Sequence, residues 1–280
     1  MNKEVTFATR DGVELRLYIT KLAEAASPGP LIVLFHGGGF IMGIPENMSG
    51  QARQFVENFG AVCVAPQYRL APEHAFPTAH QDAYDALKWI STHAEELGAD
   101  ISKAFVVGGQ SAGGSLSAVL SHQWRDEGLS PPITGVYVAA AALLPPERLP
   151  EEFSSRYISR TQKECLDDPV SPPSMRKLFT ESYKADCQSP LSAPLVWPTG
   201  HQSLPRTYVQ VCGRDRNRDE DILYEEVLQK AGVPTRIDIY KGLPHVGWIA
   251  FPKLQMTAKW MQDTVEGMRW LLRPEGDAHL

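Results

Sequence analysis

The sequence predicts an α/β fold with a mostly parallel central sheet of about eight strands, flanked by helices. Three observations carry this prediction. Short apolar runs rich in β-branched residues recur along the chain, each continuous rather than alternating, as in strands covered on both faces. Stretches with helical spacing lie between them and give the strand–helix beat of a doubly wound sheet. With 280 residues, of which 43% are hydrophobic and 21% charged, the chain can bury one large core.

Taken in order, VTFAT and VELRLYI are split by the turn signal Arg10-Asp11-Gly12 and read as an antiparallel hairpin. The parallel strands follow as LIVLF (31–35), AVCVA (61–65), AFVVG (104–108), TGVYVAAA (134–141), TYVQVC (207–212) and TRIDIY (235–240). Helices are expected over 47–59, 77–97, 111–127, 219–231 and 254–272. The beat stops over 142–205, a stretch rich in proline, serine and charge, within which MRKLFTESYK (175–184) has helical spacing. A structureless loop of this length is rare in a compact domain unless it covers or binds something. The segment therefore reads as a lid inserted over the carboxyl edge of the sheet, within a single domain spanning 1–280. Phe153, Tyr157, Leu178, Phe179, Tyr183 and Trp197 need burial, which argues against a disordered linker, and Phe153, Tyr157, Phe179 and Trp197 are candidates for a pocket wall.

The net charge of −6, with both signs interspersed, offers no basic footprint for nucleic acid and no polybasic stretch for anionic lipid. No apolar run reaches bilayer length, and the first residues lack the apolar core of a secretion signal, so a cytoplasmic protein without stable membrane insertion is expected. Cys63, Cys165, Cys187 and Cys212 are widely separated, without zinc-ligand spacing. Cys63 and Cys212 fall in strands as buried thiols, a Cys165–Cys187 pair is disfavoured, and neither a metal nor a cofactor is implied.

The strongest local signal is Gly109-Gln110-Ser111-Ala112-Gly113-Gly114, after a strand and before a helix-forming run. This is the setting of a G-x-S-x-G nucleophile elbow, in which a turn too tight for side chains lifts the serine above the sheet edge. A second signal, His36-Gly37-Gly38-Gly39-Phe40, directly follows LIVLF. Its glycines leave backbone N–H groups free, and acyl transfer needs such donors aimed at a developing oxyanion. Gly37, Gly38 and Ala112 are the candidate donors. A phosphate loop is disfavoured, because no Lys-Ser/Thr ending or G-x-G-x-x-G spacing follows.

A serine nucleophile needs a base oriented by an acid, and in this arrangement the chain order is Ser, Asp/Glu, His. Of His122, His201, His245 and His279, His245 is favoured, since Gly242-Leu243-Pro244-His245 lies just past TRIDIY, where a side chain reaches over the sheet edge. Asp215 follows TYVQVC and a glycine at another strand end and is the favoured acid, with Asp219 in reserve. Asp219, Glu220 and Asp221 open the next helix, where capping and dipole compensation are their ordinary roles.

Together, HGGGF, YRLAPEHAFP (68–77), GQSAGG, Gly213–Asp215 and GLPH resemble the hormone-sensitive-lipase-like esterases of the α/β-hydrolase fold, in order, from about residue 30 to residue 250. The resemblance implies cofactor-free hydrolysis of small-molecule esters of short to medium acyl chain. It also implies Ser111, Asp215 and His245 as a triad and Gly37, Gly38 and Ala112 as an oxyanion hole. Tyr68, Arg69, Pro72 and Glu73 match a segment that supports the site, and Ser189–Pro194 matches the return from the lid. Two departures stand out. Position 110 is usually acidic in the family and is Gln110 here. The family's helical N-terminal cap is largely absent, so the acyl pocket is expected to be more open or covered by 142–205 or a partner subunit, as in a homodimer. The same machinery also serves acyl transfer to other acceptors, lactone opening and thioester cleavage. The family includes hormone receptors that only bind ligand, but those lose triad members that this chain retains.

Overall fold

The computed structural model describes residues 1–273. Strands β1 (Asn2–Ala8) and β2 (Glu14–Thr20) form the expected antiparallel hairpin, with Gly12 in the left-handed conformation at its turn. The remaining strands are β3 (Leu31–Phe35), β4 (Val62–Pro66), β5 (Phe105–Gln110), β6 (Gly135–Ala139), β7 (Arg206–Cys212) and β8 (Thr235–Tyr240). Among the described residues they form one 8-stranded sheet in the order β1-β2-β4-β3-β5-β6-β7-β8. β2 runs antiparallel to β4, and every pairing from β4 onward is parallel.

The helices are α1 (Ser49–Phe59), α2 (Thr78–Thr92), α3 (Ala94–Leu97), α4 (Ala112–Asp126), α5 (Lys163–Leu166), α6 (Pro173–Tyr183), α7 (Arg218–Lys230), α8 (Gly247–Ala250) and α9 (Gln255–Leu271). The helix expected over 77–97 divides into α2 and α3 at His93, and the one expected from residue 47 begins as a 3-10 turn at Pro45–Met48. The two faces of β3 explain its unbroken apolar run. Leu31, Val33 and Phe35 pack with Leu87 of α2, Leu116 of α4 and Leu223 of α7 on one side, whereas Ile32 and Leu34 pack with Phe55 of α1 and Met268 of α9 on the other. A strand covered twice has no polar face, so the alternation of a half-buried strand is lost.

The parallel order puts the ends of β3, β5, β7 and β8 along one edge of the sheet. The loops leaving those ends hold His36–Phe40, Ser111, Asp215 and His245. Residues 142–205 leave β6 and return to β7 as 3-10 turns plus α5 and α6. Phe153, Tyr157, Tyr183 and Trp197 are buried, as their apolar bulk requires. Leu178 does not follow the expectation. It faces outward on α6 and is 52% exposed, because the inward face of that helix is formed by Phe179 and Tyr183.

Candidate active site

Ser111 sits between β5 and α4 with φ 53° and ψ −121°, a conformation that side chains rarely adopt. Close packing beneath it dictates the glycines around it. A Cβ on Gly113 would lie 2.0 Å from the Phe35 carbonyl oxygen, so only glycine lets α4 start this close to β3. The bend points the hydroxyl toward the loop after β8, where Ser111 Oγ is 2.9 Å from Nε2 of His245. On the other side of the ring, Nδ1 of His245 is 2.5 Å from Oδ2 of Asp215. Asp215 is fully buried, and its Oδ1 accepts the backbone N–H of Asn217. The three residues favoured from the sequence thus form one continuous hydrogen-bonded chain.

Burial is the largest single influence on the His245 ring and opposes its charged form. The charge and hydrogen bond of Asp215, then the charge of Asp168, outweigh it and hold the ring above the ordinary histidine value of 6.5, while Arg176 acts in the opposite sense. Asp168 carries a role that the sequence reading missed. Its Oδ2 accepts the backbone N–H of His245 at 2.8 Å, and its Oδ1 accepts the N–H groups of Val170 and Ser171. The inserted segment therefore holds the histidine loop directly. An acidic residue within a proline-rich stretch carries no local signal of this contact.

The glycine-rich loop stands opposite. Gly37 approaches so closely that a Cβ there would lie 3.2 Å from the Ser111 Cβ, and Gly38 has φ 124°. Among the described residues the N–H groups of Gly37 and Gly38 donate to no protein acceptor. The Ala112 N–H is the first of α4, at the helix end where such groups lack intrahelical partners. The YRLAPEHAFP segment braces the loop: the Tyr68 hydroxyl donates to the His36 carbonyl at 2.8 Å, and the Ala71 N–H donates to the Phe40 carbonyl at 2.9 Å. His36 and Tyr68 also stack at 4.2 Å. Burial lowers His36 to about 4, so its ring is neutral near neutral pH. Arg69 binds Asp82 and Asp11, whereas Pro72 and Glu73 are exposed.

Gln110, in place of an acid, is satisfied as an amide. Its Nε2 donates to Gln51 at 3.0 Å, and its Oε1 accepts from Trp248 of α8 at 3.3 Å, behind the histidine loop.

The structure corrects several readings. Asp219 and Glu220 do not cap α7, and neither is hydrogen-bonded to His245. Asp219 accepts the N–H groups of Ile158 and Ser159, while Glu220 accepts those of Leu143 and Leu144 and pairs with Arg160 and the Tyr157 hydroxyl. Asp221 accepts the Ala141 N–H and is held well above the usual carboxyl range by burial, then by repulsion from Asp215. Asp219 and Glu220 anchor the inserted segment, and Asp221 holds the backbone just before it. Phe153 and Tyr157 lie in the core beside them, and Trp197 packs on His122, so Phe179 alone of the four wall candidates lines the cavity. His122 and His201 are paired with each other at 3.0 Å, and His279 lies outside the described residues. All four cysteines are free. Among the described residues no group of three His, Cys, Asp or Glu side chains converges as a metal site would need, and no helix is long and apolar enough to cross a membrane.

The cavity over Ser111 has a volume of about 450 Å³. Much of its wall comes from the inserted segment. Phe179 lies over Gly39, and Tyr183 stacks on Phe40 at 4.2 Å. The Tyr183 hydroxyl is 2.9 Å from Nδ1 of His80.

Sheet order, elbow and hydrogen-bonded chain together define an α/β hydrolase. The chain belongs to that family: the pattern described as alpha/beta hydrolase fold matches residues 32–249. It is similar to an AB hydrolase superfamily protein of Schizosaccharomyces pombe, with 40% identity over 271 residues covering 96% of this chain and 79% of that one. A versiconal hemiacetal acetate esterase of Dothistroma septosporum is 29% identical over 272 residues, covering 97% and 81%. The crystal structure of a vibralactone cyclase superposes with a TM-score of 0.88 at 32% identity, covering 97% of this chain and 80% of that one. The family and its esterase members bear out the resemblance to hormone-sensitive-lipase-like esterases, and the protein is a carboxylesterase-like hydrolase acting on ester bonds.

Proposed function

We propose that the protein hydrolyses esters of short to medium acyl chain through an acyl-enzyme on Ser111, with His245 as base and Asp215 as its orienting acid. The carrying observation is the chain Ser111 Oγ–His245 Nε2 at 2.9 Å and His245 Nδ1–Asp215 Oδ2 at 2.5 Å. In this reading Nε2 accepts the hydroxyl proton as Oγ bonds to the ester carbonyl carbon, and Asp215 stabilises the imidazolium that forms. The N–H groups of Gly37, Gly38 and Ala112 hold the oxyanion. His245 then returns the proton to the leaving alcohol, and water repeats the sequence on the acyl-enzyme. The segment 142–205 serves as the cover of the pocket within one hydrolase domain. The strained Ser111 backbone and the unused N–H groups beside it support this reading.

Hydrolysis of p-nitrophenyl esters of increasing chain length, by the wild type and by Ser111→Ala, tests it. The wild type is expected to turn over short and medium esters, and the variant to fall by several orders of magnitude. Equal turnover by both would remove Ser111 from the mechanism. Similarity to a vibralactone cyclase favours a second reading, in which the acyl group passes to an acceptor other than water. Product analysis with competing alcohols separates the two, since transfer yields new esters and hydrolysis yields free acid.

A further inference from the structure

The wall of the cavity has a charge character that ester hydrolysis alone does not require. Arg160, Arg176, Lys184 and Arg216 line it together with Ser111 and His245. Among the described residues, the acidic ones in the wall are Glu147 and Asp215. Asp215 is engaged by His245, and Glu147 stands beside the Cys187 thiol. The protein as a whole carries a net charge of −6, so the cationic wall is not a reflection of composition.

The arginines differ in what they already hold. Arg160 is committed to the buried carboxylate of Glu220. Arg176 donates to the carbonyls of Ser171 and Leu166, and among the described residues no carboxylate lies within 4.0 Å of it. Its charge nevertheless reaches His245. Arg216, next in chain to Asp215, makes no ion pair among the described residues, and its Nε is buried without a hydrogen-bond partner. That Nε is closed off from the cavity, so an incoming anion meets Arg216 through its terminal guanidinium N–H groups. The planar guanidinium fork matches a carboxylate in two-point contact.

We propose that Arg216, with Arg176 as the second charge, forms a carboxylate subsite in the acyl pocket, so that the preferred substrates are esters carrying a free carboxylate, such as monoesters of dicarboxylic acids. This rests on the hydrolase reading above and narrows its substrate class. The carboxylate pairs with Arg216 while the ester carbonyl faces Ser111. A neutral ester of the same shape leaves the Arg216 guanidinium without an anionic partner, and that difference sets the selectivity.

The test compares p-nitrophenyl hydrogen glutarate with the neutral isostere in which the carboxylate is replaced by an isopropyl group. The wild type is expected to favour the glutarate monoester in kcat/KM. Arg216→Gln is expected to lower the anionic-to-neutral ratio on the order of tenfold or more, as loss of a charge-assisted hydrogen bond would. Arg216→Lys, which keeps the charge but not the fork, should retain part of the preference. Preference of the wild type for the neutral ester, with a ratio unmoved by Arg216→Gln, would overturn the proposal while leaving ester hydrolysis intact. Failure to cleave either ester would strike the hydrolase reading instead. In that case calorimetry with free glutarate decides the subsite: binding by the wild type weakened in Arg216→Gln supports it, and equal or absent binding refutes it.

Discussion

The backbone N–H of His245 donates to Oδ2 of Asp168 across 2.8 Å, so the loop bearing the histidine is held by the segment inserted between β6 and β7. Asp168 touches no reacting atom. Its contact holds the histidine loop, and its charge raises the His245 ring.

Asp168→Asn is therefore expected to lower kcat on the order of tenfold with a smaller change in KM, the cost of loosening a positioned base. It should also move the acidic limb of the pH profile to lower pH, since one negative charge near His245 is lost. A merely structural role would reduce the amount of folded protein and leave the limb in place.

The pH dependence of the unsubstituted enzyme follows from the direction of the His245 shift. Asp215 and Asp168 hold the ring above the ordinary value of 6.5, and a histidine in the proposed role of base works only when unprotonated. In kcat/KM, activity is lost as pH falls through this raised value, so the limb should lie above 6.5. A limb well below that value, with chemistry rate-limiting, would contradict the assignment of His245 as base.

Stability of the inserted segment depends on Glu220, which is fully buried, accepts two backbone N–H groups and pairs with Arg160. Glu220→Ala leaves those donors and the arginine without their acceptor, and is expected to destabilise by about 3–5 kcal/mol. Urea denaturation measures this. A loss below about 1 kcal/mol would show that water or another group replaces the carboxylate.

At the elbow, Gly113→Ala places a methyl group 2.0 Å from the Phe35 carbonyl oxygen. Backbone must move to relieve the clash, at an expected cost of about 1–3 kcal/mol or more and a Tm lower by several degrees. An unchanged Tm would mean that α4 does not start this close to β3.

What the sequence discloses divides along a physical line. The approach of Ser111, Asp215 and His245 is legible because each follows a strand of the same parallel sheet, and parallel strands put their ends on one edge. The elbow and the HGGGF loop are legible because their glycines answer to local crowding. The acids opening α7 do lie in its first turn, as dipole compensation requires, but their hydrogen-bond partners are not legible, since these lie about 60–80 residues away in Ala141 and in the insertion. The same segment hides which aromatics face the cavity. Phe153, Tyr157 and Phe179 have similar local patterns, and only the folded path of the insertion places Phe179 over Gly39 and the others in the core. Leu178 and Phe179 are adjacent on α6, and which of them turns inward depends on where that helix docks.

The central claim is that Ser111 is the nucleophile, and active-site labelling with a fluorophosphonate followed by peptide mass spectrometry tests it most directly. One adduct is expected, on the peptide carrying Ser111, with ester hydrolysis lost in proportion to labelling and no adduct in Ser111→Ala. Undiminished hydrolysis by fully labelled enzyme, or a stoichiometric adduct on another residue in step with lost activity, would contradict it.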